Sequence, residues 1–174
     1  MIMPPRMRLF VLTMHVTSSV GLLGSVACFL TLSVIGLTSR DADSVRGVYL
    51  AMDLTAGFVI MPLAFASLII GVIQSLGSTW GLFRHYWVVV KLLLTILTVV
   101  VLMVQMGPID FLARAATEAE LSSVDLPVQI RLVVHAASGL LVLLVLTILS
   151  VYKPRGMTHY GLRRQREERT SLTA

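Results

Sequence analysis

Hydrophobic positions in this chain gather into four long runs, at 9–37, 48–73, 86–106 and 128–152, separated by short polar segments. A helix needs about 20 apolar residues to cross the hydrocarbon core of a bilayer, so each run is long enough to span it. Lipid offers no hydrogen-bond partner to an open backbone, and each run must therefore be helical. The pattern predicts an all-α polytopic membrane protein, a four-helix transmembrane bundle. Residues 1–152 form its membrane domain, and 153–174 form a basic tail expected to be mobile.

Within the runs, the polar and small residues recur at helical spacing. Along the third run Arg84, Trp87, Lys91, Thr95, Thr98, Leu102 and Gln105 follow one another at steps of three and four, giving one largely polar stripe. That stripe is expected to face the bundle interior. Asp53, Gly57, Ala64, Ser67, Gly71 and Ser75 form a small-residue stripe in the second run, suited to close helix approach. Pro62 removes a backbone donor in its middle, which predicts a kink. The first run adds Ser18, Ser19, Gly21, Gly24 and Ser25 after His15, and the fourth adds Ser138 and Gly139 after His135, leaving room beside each histidine for a flat group or a neighbouring backbone.

Composition agrees with the pattern. Hydrophobic residues make up 56% of the 174 and charged residues 13%, with a mean hydropathy of +0.88, which excludes an ordinary water-soluble surface. The single cysteine, Cys28, lies inside the first run and cannot staple an extracellular fold. Ser25-Val26-Ala27-Cys28 looks like a lipoprotein cleavage site, but the apolar run continues well past Cys28, and Ser25 stands where a branched aliphatic residue is wanted. The segment is expected to be retained.

Charge outside the runs gives orientation. Arg6, Arg8, Arg84, Lys153, Arg155, Arg163, Arg164, Arg166 and Arg169 fall on one side, and only Arg40, Arg46 and Arg114 on the other. The positive-inside bias places both termini in the cytoplasm, in a cytoplasmic (inner) membrane. Asp41, Asp43, Asp110, Glu118, Glu120 and Asp125 make a solvated acidic rim on the opposite side. The net charge of +5 needs no nucleic acid to explain it. The expected partners are the bilayer, anionic headgroups at the tail, and a second copy or another membrane subunit.

Few ionisable side chains remain inside the runs: His15, Asp53, Lys91 and His135, with Arg131 at an edge. Each costs about 2.5 kcal/mol or more in the membrane and so calls for a partner, a cofactor or water. Counted from the run ends at about 1.5 Å per residue, His15 and Lys91 share a level near the cytoplasmic face. Asp53, Arg131 and His135 share one near the other. The outer group reads as a structural ion pair of Asp53 with Arg131 or His135. The inner pair reads either as a binding site or as packing, with Lys91 reaching toward headgroups. A metal or proton pathway through Asp53 and His135 is a third reading. No phosphate-binding loop, zinc motif or nucleophile elbow is present in the sequence.

The stretches MHVTSSVGLLGSVACFL and QSLGSTWGLFRHYWVVVKLLL, with the run ending SVYKPRG, resemble a family of small four-helix membrane proteins common in actinobacteria, a resemblance that implies the fold and no activity. More distantly, the early His15 and the Lys91 that starts a Leu-rich run resemble the HemJ-type protoporphyrinogen oxidases and CopD-type copper-resistance membrane proteins. That resemblance implies a haem b or porphyrin site, with His15 as an axial iron ligand and Lys91 as second ligand or propionate partner, and an oxidoreductase of haem or porphyrin type. Leu22, Leu23 and Gly24 stand where those proteins carry Trp-x-Gly after the early histidine.

The charge bias generates a direct test. A topology reporter fused after Ala174 should read cytoplasmic, and one inserted within 115–121 should read external. A periplasmic signal from the terminal fusion would reverse the orientation.

Overall fold

A computed structural model describes residues 3–77, 81–118, 126–152, 154, 156–164 and 170. Helix α1 covers Pro5–Thr38, α2 Ala42–Thr55, α3 Met61–Leu76, α4 Tyr86–Thr117 and α5 Leu126–Tyr152. A π-helical turn over Ala56–Ile60 joins α2 to α3 into one 35-residue helix. The described residues thus contain four helices long and apolar enough to cross a membrane, in an all-α four-helix bundle that fits a multi-pass integral membrane protein. Large apolar side chains face outward along every helix, Phe58 at 78% exposure among them. In water such a surface would drive aggregation, whereas in lipid it costs nothing.

Helix neighbours follow the chain order. α1 packs on α2, α3 and α5, while α4 packs on α2, α3 and α5. The bundle is therefore a closed ring, with α1 diagonal to α4 and the α2–α3 helix diagonal to α5. Three contacts identify the end at which α1 and α4 begin and α3 and α5 finish. The Met3 amide donates to the Gly77 carbonyl, the His15 ring lies against Gly71, and Lys91 donates to Ser150. At the opposite end the buried Tyr49 hydroxyl donates to the Gly36 carbonyl at 3.2 Å, and no β-carbon would fit at Gly36 without displacing the tyrosine ring. Asp41 caps α2 there, with its carboxylate held below the usual carboxylate range by the Ser44 hydroxyl and amide.

Pro62 shows how local sequence is absorbed. It can donate nothing to the carbonyl one turn earlier, and the backbone answers with the π turn, in which Met61 donates back to Ala56. Pro108 lies inside α4 without ending that helix. The apolar core runs through Leu22, Phe29, Met52, Ile60, Val99 and Leu112, with Leu132, Leu143 and Leu146 from α5.

The tail departs from expectation. Residues 156–164 are docked rather than free: the Thr158 amide donates to the Arg84 carbonyl, its hydroxyl donates to the Phe83 carbonyl, and Met157 bridges to His85. A helical turn over 159–164 follows, opened by the Thr158 hydroxyl accepting from the Gly161 amide. The physical reason lies in the connection before α4. Its carbonyls at 83 and 84 are exposed by a turn in which Gly81 takes a positive φ of 62°, and they need donors. His85 occupies the N-cap position of α4 and its backbone pairs with the tail. Lys153, Arg155, Arg166 and Arg169 of the tail, and Glu120 and Asp125 of the acidic rim, lie outside the described residues.

Candidate functional site

The inward stripe of α4 is where its spacing predicts. Gln105 is buried, and Trp87, Lys91, Thr95 and Thr98 are half-buried and line interior space. Opposite them, α1 presents His15 and Ser19, and α3 presents Ser67 and Gly71. His15, Ser67, Gly71, Trp87, Lys91 and Thr95 enclose a cavity of about 380 Å³ at the end where α1 and α4 begin, with Arg8 at its rim and Leu12, Leu68, Val72 and Leu92 among its apolar walls. A narrower space of about 70 Å³ continues inward past Ser19, Thr98, Thr147 and Ser150, sharing His15, Ser67, Lys91 and Thr95 with the first. It ends against Leu22, Ala64, Val99 and Leu143, which are buried core residues.

His15 and Lys91 are thus brought to one cavity although their helices sit across the bundle diagonal. The histidine ring rests on the α3 backbone: a β-carbon at Gly71 would lie 2.9 Å from its Cε1. Its Nδ1 is buried and has no hydrogen-bond partner. Lys91 Nζ donates to the Ser150 hydroxyl at 2.5 Å and lies 5.9 Å from the centre of the Trp87 ring. A hydroxyl and an aromatic face together offset part of the cost of placing an ammonium in the membrane. Ser150 passes a hydrogen bond on to the Leu146 carbonyl, and Ser19 and Ser67 bond each other at 2.9 Å between α1 and α3.

The outer group does not assemble. Asp53 makes no ion pair with Arg131 or His135; among the described residues the one side-chain ion pair is Arg114 with Asp110, on the surface of α4. Helix order is the reason. Asp53 stands on α2 and both cations on α5, which is diagonal to it, so equal depth does not bring them together. Arg131 is exposed, and His135 Nδ1 bonds the Arg131 carbonyl of its own helix at 2.6 Å. Ser138 is exposed and a β-carbon at Gly139 would meet nothing, so the room beside His135 opens to the bundle surface.

Two contributors escaped the sequence reading. Ser150 stands near the end of the fourth run, at the depth of Lys91, and that shared depth was the available signal. Arg8 counted only toward orientation, although its spacing of seven residues from His15 puts it on the same helix face. No group of three or more metal-ligating His, Cys, Asp or Glu side chains occurs among the described residues.

No protein-family model, curated protein or solved structure matches this chain. The cavity must be interpreted from its own chemistry.

Because the Gly71 backbone supports the imidazole, Gly71→Ala should move the ring. The His15 ring resonances in an NMR spectrum should shift, with a stability loss of about 1–3 kcal/mol from overpacking. Gly24→Ala, where a β-carbon meets no atom, should stay within about 0.5 kcal/mol of the parent. Unchanged His15 resonances in the Gly71 variant would contradict this packing.

Proposed function

We propose that the protein is a membrane-embedded binding protein that holds a small ligand in a vestibule between α1, α3 and α4. The observation that carries this reading is that His15 and Lys91 line a single cavity of about 380 Å³, a size within the roughly 300–1,000 Å³ of small-molecule sites. Conduction is not supported. The space narrows to about 70 Å³ and stops on Leu22, Ala64, Val99 and Leu143, and Asp53 and His135 do not extend it as a metal or proton path. The bonds between Ser19 and Ser67 and between Lys91 and Ser150 lock helix packing, as a purely structural subunit would require, but a subunit of that kind has no need of the cavity left beside them. The charge bias supports a bacterial inner membrane with the vestibule opening toward the cytoplasm.

A narrower reading takes the ligand to be haem b or a related porphyrin. It is favoured by His15 Nδ1, a buried nitrogen with no partner at the cavity wall. His15 would then supply an axial nitrogen to the iron, whose redox chemistry belongs to the cofactor. Lys91 is already held by Ser150, and that geometry suits a charged partner for a propionate better than a second iron ligand.

Protein purified from haem-replete cells tests this reading. It should show a Soret band that His15→Ala abolishes and Lys91→Met weakens or shifts. A colourless preparation that also takes up no haem on reconstitution would remove haem and leave the vestibule to another ligand.

A further inference from the structure

Among the described residues that line the vestibule, the charged side chains are of one sign. Arg8 and Lys91 line it, and no acidic side chain is among the described residues that do. The remaining polar lining is neutral, with Gln74, Ser67, Ser75 and Thr95 beside the imidazole. The walls between are apolar, including Leu12, Leu68 and Leu92.

The two cations stand at different depths. Arg8 is exposed, at the second turn of α1, and seven residues place it roughly 10 Å along the axis from His15. Lys91 lies further in, where the cavity narrows and where Ser67, Thr95 and Ser150 gather hydroxyl groups around it. A mouth charge in contact with water acts mainly on encounter, whereas a half-buried charge at the floor acts more on residence.

We propose that the vestibule selects an organic anion with an apolar body, a carboxylate or phosphate head carried on hydrocarbon. Arg8 steers the head inward, Lys91 holds it among the hydroxyl groups, and the apolar walls receive the rest. This rests on the binding reading above and specifies its ligand class, whether the molecule comes from the lipid leaflet or from the cytosol.

The detergent-purified full chain can be titrated with a brominated long-chain carboxylate, which quenches Trp87 when bound, and with the matching brominated alcohol. Saturable quenching by the carboxylate, at least tenfold tighter than by the alcohol, is expected. Lys91→Met should weaken carboxylate binding about tenfold, mainly through faster release, with Lys91→Arg recovering part of the loss. Arg8→Gln, at an exposed position that does not touch the packing, should slow association severalfold and flatten its salt dependence while leaving release unchanged. Inorganic phosphate alone should not displace the probe, and displacement by it would overturn the requirement for an apolar body. Equal binding of alcohol and carboxylate would overturn selection by charge while leaving the vestibule as a binding site. No saturable quenching by either probe would overturn both.

Discussion

Everything in this bundle follows from the absence of water in the hydrocarbon core. A polar side chain placed there must find its partner within the protein, since lipid supplies none. Apolar surface on all four helices can face outward at no cost, but Lys91, His15 and the serines and threonines near them are driven to the interior. Their mutual bonds then fix how α1, α3, α4 and α5 meet. Lys91 with Ser150 joins α4 to α5, Ser19 with Ser67 joins α1 to α3, and His15 rests on the α3 backbone at Gly71. These contacts do not fill the space they surround, and the remaining cavity is the site.

The ring order of the helices decides which polar groups cooperate. His15 and Lys91 lie on diagonal helices and still share a cavity, because both point at the bundle axis. Asp53 and His135 also lie on diagonal helices, but the His135 ring bonds the Arg131 carbonyl of its own helix and the two stay apart. The far half of the bundle is consequently closed by apolar packing around Met52, Ile60 and Leu112, together with the Tyr49 bond to Gly36. One half is polar and hollow and the other is apolar and filled, an asymmetry suited to binding from one side.

Much of this was legible in the sequence. Run length alone specified the helices, and the three- and four-residue spacing of Trp87, Lys91, Thr95, Thr98 and Gln105 specified the inward face of α4. Chain position placed His15 and Lys91 at one depth, and both line one cavity. The same argument failed for Asp53, Arg131 and His135, because depth fixes one coordinate and helix adjacency another, and adjacency is set by packing that no single span encodes. The docked tail was hidden for a related reason. Gly156, Thr158 and Gly161 look like a flexible polar segment until the carbonyls at 83 and 84 are seen to need donors.

The central claim is that the interior space opens at one end only, and thiol accessibility measures it most directly. In a Cys28→Ser background, Thr95→Cys and Val99→Cys can be exposed to a small membrane-impermeant thiol reagent added to either face of sealed vesicles of known orientation. The account expects Thr95→Cys to react from the face that carries Arg8 and the start of α4, and from that face alone, with Val99→Cys protected from both. Reaction of Thr95→Cys from the face that carries Asp41, or its protection from both faces, would contradict a one-sided vestibule.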